Sequence, residues 1–403
     1  MTRVAITGVG VVSAIGNTAE TFWTSLVAGA SGIRPLSAER CGNLKFRNGA
    51  EAQDFRWEDH FDAKRVDTLD RFSQFAIVAA REAVRNAAIE WTDELRESTL
   101  VAMGTGIGGQ SSQDQGFWDV YKLGKSRVHP FTIPRTMANA GASQISIDLG
   151  ITGPSFTLST ACASAAHAIG LAFQMVRGGQ VELAICGGSE APFSFGILKA
   201  WEAMRVVSAD TCRPFCKDRS GMILGEGAGV LVLESMDRAL ARGANIYAEI
   251  AGFGMSSDAS HITQPAVDGP ARAMRLALRN AAIDASAIGY INAHGTGTEV
   301  NDVTEARAIH SVFGGHASQI AVSSTKSMHG HALGAAAALE AVATVLALDR
   351  CVLPPTANFT ERDPQCDLDV IANQARARQV EYALSNSFAF GGMNAVLAFR
   401  RMR

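Results

Sequence analysis

The 403-residue sequence has no excess of basic charge: 36 Lys and Arg stand against 39 Asp and Glu, a net charge of −3, and no long basic run occurs. Neutralising a phosphate backbone needs clustered cations, so nucleic acid is not an expected partner. No apolar run of about 18 residues is free of glycine and polar breaks, which argues against a membrane-spanning helix. A cysteine framework is missing too. Cys41, Cys162, Cys186, Cys212, Cys216, Cys351 and Cys366 are odd in number and scattered, as expected of free thiols in a reducing cytoplasm. There is no Cys-x-x-Cys or His-x₃-His spacing, and the close pairs Cys212/Cys216 and His329/His331 lie far apart, so no metal is expected. The opening "MTRVAITGVGVVSAIG" has one Arg before an apolar run, as a signal peptide does, but its Val, Ile, Thr and Gly read as a buried strand and turn.

What is present is repetition. The chain is too long for one ordinary core and suits two compact halves. Apolar strand runs alternate with Ala-rich helical runs throughout, without a low-complexity linker, which predicts α/β layers with buried parallel strands. "VAITGVGVVS" from Val4 is echoed by "AEIAGFGMSS" from Ala248, "VAMGTGIGG" from Val101 by "INAHGTGTE" from Ile291, and "GAGVLVLES" from Gly227 by "NAVLAFRR" from Asn394. The pairs keep the same order in both halves, the mark of an internal duplication. The expected halves are 1–243 and 244–403.

The second feature is a thiol at a turn. In "SFTLSTACASAAHAIG", Ser155 to Gly170, Cys162 lies between a β-branched run and a helix of small residues. At a helix start its sulfur would meet unpaired N–H groups and the positive end of the helix dipole, which favour thiolate. Flanking Ala161, Ala163, Ser164 and Ala165 permit a sharp turn that exposes a nucleophile; the plainer reading is a small buried hydrophobe. The counterpart "AVSSTKSMHGHALGAAAALEAVATVLAL" carries Lys326, His329 and His331, and "NAHGTGTEVND" carries His294 amid Gly and Thr. In a duplicated α/β fold these turns fall at equivalent strand ends, where sites are built. Gly104, Gly106 and Gly109 fit the dinucleotide pattern G-x-G-x-x-G, but the echo in "HGTGT" suggests a backbone role.

Together, "TACASA", "NAHGTGT", "STKSMHGH" and "NSFAFGGMN", in that order and along the full chain, resemble the β-ketoacyl-acyl carrier protein synthases, elongating condensing enzymes of the thiolase superfamily. The resemblance implies a thiolase fold, five αβαβα layers from two duplicated α/β halves. It also implies a decarboxylative Claisen condensation in fatty acid, related lipid or polyketide biosynthesis. Cys162 would hold the acyl group and His294 and His331 the malonyl thioester, with Lys326 and Glu340 in support. Phe390 would lend an oxyanion N–H and form a gate with Phe388, and Thr296 and Thr298 would bind phosphopantetheine. No cofactor of its own is implied, since the substrates ride on the carrier protein's arm.

The same resemblance puts Ile107 beside the entering acyl chain and Thr132, in "HPFTIPRTMANAG", on a segment reaching across from a partner subunit. Lys64, Arg65, Lys125, Arg127 and Arg205 match the docking patch for acyl carrier protein. A homodimer is expected, with a heterodimer containing a chain-length factor as the alternative. Ala389 to Asn394, "AFGGMN", replaces the usual G-F-G-G-T-N, and His329 replaces a threonine. These departures point beyond housekeeping synthesis, toward nodulation-signal lipids or polyenes, for example. A degradative thiolase would need a second cysteine near the C-terminus, where "AFGGMN" has none, and a chain-length factor or scaffold subunit would normally lack Cys162.

Overall fold

A computed structural model describes residues 2–37 and 42–402; Cys41 lies outside the described residues. The first half contributes strands β1 (Val4–Ser13), β2 (Thr99–Gly104), β3 (Ser155–Leu158), β4 (Leu183–Glu190) and β5 (Gly227–Ser235). They lie side by side in the order β1-β5-β4-β2-β3. The second half contributes β6 (Ala248–Ser257), β7 (Ile288–Asn292), β8 (Ala321–Ser323), β9 (Tyr382–Ala389) and β10 (Met393–Arg401). Their order is β6-β10-β9-β7-β8, so first, fifth, fourth, second and third strands are neighbours in both sets. The senses repeat as well: two antiparallel pairings, then two parallel ones, in each set. A short β1–β6 pairing over Val4–Ile6 joins the two sets.

Helices α1 (Arg71–Ala87) and α2 (Ala140–Leu149) cover the outer face of the first set. Two helices, α3 (Ser164–Arg177) and α6 (Ala336–Arg350), pack on each other and on both sets of strands. The outer face of the second set is covered by α4 (Asp268–Ala281) and α5 (Glu299–Phe313). This is the five-layered αβαβα thiolase fold from two duplicated halves. Strands covered on both faces need apolar residues at every position, which is why they read as continuous runs. Along β5, Leu231 and Leu233 face the middle layer while Val230 and Val232 face α1. Residues 336–348 of α6 are all buried, and each of its leucines contributes on the order of 2 kcal/mol.

The echo between "TGVGVV" and "AGFGMS" has a steric cause. A Cβ at Gly10 would lie 2.0 Å from the carbonyl oxygen of Ala79 in α1, and one at Gly254 would lie 2.1 Å from that of Ala273 in α4. Each half thus presses a helix of its outer layer onto its first strand at a glycine. A second shared device precedes the middle helices: Ala161 (φ 51°) and Leu333 (φ 45°) both adopt left-handed backbone, each three residues before its helix. Among the described residues, no helix is long and apolar enough to cross a membrane.

Gly10→Ala and Gly254→Ala should each destabilise the protein by about 1–3 kcal/mol through overpacking. Denaturant melts of the two variants check this, and an unchanged midpoint for either would refute the close approach at that helix.

Candidate active site

Cys162 sits on the turn between β3 and α3. The turn is closed locally: the Thr160 N–H donates to Ser164 Oγ at 2.8 Å, and Ser164 Oγ donates to the Ala161 carbonyl at 2.6 Å. A bulkier residue than alanine in the left-handed backbone of position 161 would add strain. Burial pushes the Cys162 thiol up to about 11, against the pull of the Lys326 charge and of the N–H groups of Phe390 and Cys162 itself. The direction is opposite to the thiolate expected from the helix start, because enclosure outweighs those dipoles. The resting sulfur is a thiol.

The two histidines come from the second half. His294 follows β7, and its loop is pinned by Glu305 of α5, whose carboxylate accepts the N–H groups of His294 (2.9 Å) and Gly295 (2.8 Å) and the amide of Asn386 (3.0 Å). His331 follows the short helix Lys326–His329 and brings Nε2 to 3.1 Å from Cys162 Sγ. Its Nδ1 accepts the Leu333 N–H at 3.2 Å, leaving the ring proton on Nε2. The Lys326 ammonium donates to the His294 carbonyl at 2.7 Å and to His294 Nδ1 at 3.3 Å, and it is paired with Glu340. His294 therefore also carries its proton on Nε2. The imidazoles are 5.5 Å apart and nearly perpendicular.

Burial, reinforced by Lys326, holds both imidazoles well below the ordinary histidine range. Burial raises the Glu340 acid to about 7 against the pull of Lys326. The result is two neutral N–H donors beside a thiol. Ligating atoms of Cys162, His294 and His331 lie within 4.8 Å of one another, but a cation there would face the Lys326 ammonium. His329 is buried and turned to local partners, Thr325 Oγ1 at 3.0 Å and the Gly330 carbonyl at 2.9 Å.

A cavity of about 410 Å³ leads to the trio and is lined by Thr296, Thr298, Phe388, Phe390 and Trp201. The two threonine hydroxyls bond each other at 2.9 Å. The Phe390 ring stacks on Trp201 at 6.3 Å, and Gly391 (φ 82°) and Gly392 (φ 69°) follow it. Arg205 stands on this cavity. Lys64 and Arg127 are exposed away from its lining, Arg65 is half-buried, and Lys125 pairs with Asp119 at 3.0 Å.

Ile107 and Thr132 do not line the cavity. Ile107 packs instead against an apolar cluster that includes Leu198, Met222, Leu224 and Leu333. Thr132 opens the helix Thr132–Thr136, which packs on the helix Gln110–Phe117. The glycine-rich loop 104–109 spends its N–H groups at Gly106 and Ile107 on the Glu190 carboxylate, so it offers no phosphate cradle there. Sequence reading missed Glu190, Glu305 and Trp201: none lies in a motif, and each has a partner distant in sequence, Gly106, Asn386 and Phe390 respectively.

Two family models match the chain: the β-ketoacyl synthase N-terminal domain over residues 1–239 and the β-ketoacyl synthase C-terminal domain over residues 247–360. Nodulation protein E of Rhizobium sp. (strain N33) is 48% identical over 400 residues, 99% of each chain. The 3-oxoacyl-[acyl-carrier-protein] synthase 2 of Staphylococcus aureus (strain N315) is 42% identical over 406 residues, 99% of this chain and 98% of that protein. Among solved structures, the ishigamide ketosynthase/chain length factor aligns over 100% of both chains with a TM-score of 0.95 and 38% identity. A type II polyketide ketosynthase solved in complex with its acyl-carrier protein aligns over 100% of both chains with a TM-score of 0.90 and 31% identity. Matched in both halves and along nearly its whole length, the chain belongs to the β-ketoacyl synthase family and is a condensing acyltransferase.

Proposed function

We propose that Cys162 carries the acyl chain and that His294 and His331 work together on a malonyl thioester. In the first step Cys162 Sγ attacks the acyl thioester of the carrier protein, and the Phe390 and Cys162 N–H groups receive the oxyanion. The carrier's sulfur leaves and takes up the thiol proton. In the second step the malonyl carboxylate departs as carbon dioxide, and the electron pair of the broken C–C bond forms an enolate. Its oxygen accepts from the two Nε2–H groups, and its carbon attacks the acyl-Cys162 carbonyl, expelling the cysteine sulfur, which is reprotonated from water. The single observation that carries this reading is the pair of tautomers: both imidazoles, neutral and buried, have Nδ1 engaged and carry their proton on Nε2, which in His331 lies 3.1 Å from Cys162 Sγ. Fixed donors in a dry site stabilise such a charge with little reorganisation.

Thr296 and Thr298 are assigned to the phosphopantetheine arm, because their hydroxyls line the channel that ends at Cys162. Phe388 and Phe390 form its gate, with the glycine pair after Phe390 giving the loop freedom. The carrier protein docks at the mouth beside Arg205, with Lys64, Arg65, Lys125 and Arg127 in the wider patch. The two halves divide at 243/244. A homodimer in the cytoplasm is the favoured state. Its support is the apolar exposure of Phe117, Trp118, Tyr121, Ile133 and Ile147, together with the unpaired edge of β3. A heterodimer with a chain-length factor is the second reading, favoured by the likeness to the ishigamide ketosynthase/chain length factor.

Cys162→Ala should abolish acyl labelling and condensation. His294→Ala and His331→Ala should each cost about a hundredfold or more in malonyl decarboxylation, with acyl transfer less affected; near wild-type condensation by both would refute the paired role. Because the thiol is pushed up to about 11, Cys162 alkylation by iodoacetamide should keep accelerating from pH 7 to pH 10. A plateau already reached at pH 8 would mean a resting thiolate. Light scattering should give twice the chain mass for the protein alone, a monomer being the contrary result. Arg205→Glu should lower kcat/KM for carrier-bound acyl groups and weaken its salt dependence; an unchanged salt series removes Arg205 from the patch.

A further inference from the structure

Every backbone carbonyl of residues 294–299 has a partner inside the protein. That of His294 accepts from the Lys326 ammonium at 2.7 Å and that of Gly295 from Ser324 Oγ at 2.6 Å. The next four all turn to one segment, residues 212–221. Thr296 accepts from Cys212 Sγ at 3.4 Å, Gly297 from the Gly221 N–H at 3.0 Å, Thr298 from Arg219 Nε at 3.1 Å, and Glu299 from a terminal guanidinium nitrogen of Arg219 at 2.9 Å. Asp302, on the first turn of α5, closes the same seam: its carboxylate accepts the Phe215 N–H at 2.8 Å and the Gly297 N–H at 3.2 Å. With these carbonyls spent, the side chains of Thr296 and Thr298 are left to meet the channel, and Gly221 lines it on the facing segment.

Arg219 holds most of this seam. It is buried, lies outside the channel lining, and also donates to the Cys216 carbonyl at 2.7 Å and to Asp363 Oδ2 at 2.6 Å. We propose that Arg219 is a positioning residue for substrate binding: by clasping the Thr298 and Glu299 carbonyls to residues 212–221, it sets where the Thr296/Thr298 wall stands as the carried thioester passes toward Cys162. The proposal rests on the reading that the thioester reaches Cys162 along this channel. A planar guanidinium offers donors to several carbonyls at fixed angles, whereas a lysine ammonium is one point charge with three donors and cannot serve three carbonyls and a carboxylate together. His294, His331 and Cys162 are held by other contacts, those of Glu305, Lys326, Leu333 and Ser164 among them. Loss of Arg219 should therefore be felt in binding rather than in the chemical step.

The test is steady-state kinetics with acyl-carrier-protein thioesters, alongside intact-mass measurement of the Cys162 adduct. The proteins are wild type, Arg219→Lys, the Thr296→Val/Thr298→Val pair, and the three changes combined. Arg219→Lys should raise KM about tenfold, the scale of one lost hydrogen bond to a charged group, with kcat within about twofold of wild type. Added to the valine pair it should raise KM no further, because the hydroxyls it positions are already gone. If Arg219→Lys does not fold, Cys212 decides the matter: Cys212→Ala, which leaves the Thr296 carbonyl without its donor, should raise KM, and Cys212→Ser, which keeps a donor, should not. Equal KM values for that Ala and Ser pair would overturn the seam. A folded Arg219→Lys protein with the wild-type KM, a fall in kcat at unchanged KM, or an additive effect in the combined variant would each overturn the role of Arg219, while a wild-type adduct on Cys162 leaves the underlying reading in place. No adduct on Cys162 in the wild type would overturn that reading and the proposal with it.

Discussion

The buried ammonium of Lys326 is the charge around which the site is arranged. It is enclosed, paired with Glu340 of the central helix, and shared with the carbonyl and Nδ1 of His294. A buried ion pair is a poor source of stability, since desolvation offsets most of its attraction. Here it has another use. It fixes which nitrogen of His294 carries the proton, and it opposes protonation of both imidazoles. It also ties the His294 loop to α6, so the N–H donors of the second half are set by the same layer that packs against α3, the helix after Cys162.

Much of this was legible in the sequence, for physical reasons. Paired glycines on the first strand of each half are demanded by helix carbonyls 2.0–2.6 Å from where a side chain would begin, so the echo marked a true repeat of packing. Cys162, His294, His331 and Lys326 lie within short motifs at strand ends, and the fold brings those ends together. Thr296, Thr298, Phe388 and Phe390 likewise meet on one cavity.

What escaped the sequence was set by enclosure and by long-range approach. The ionisation of Cys162 turned on how completely the turn is covered, which no local pattern reports, and burial outweighed the dipoles that local reading could see. Glu190 and Glu305 act 80 or more residues from one of their partners, Gly106 and Asn386 respectively, so no spacing announces them. Ile107 sits in an apolar cluster rather than on the channel, because the channel reaches the thiol from the side of the threonines.

The shared left-handed turn has a consequence for symmetry. The residue after Ala161 is Cys162; the residue after Leu333, at the matching place in the second copy, is Gly334. That glycine has no room for any side chain, because the loop bearing Gly106 lies against it. Of these two matching turns, one has room for a thiol-bearing side chain and the other has none. The copy that forfeits it gives its own turn over to bracing the other, so that two like units make a single, one-sided machine rather than a pair of equivalent ones.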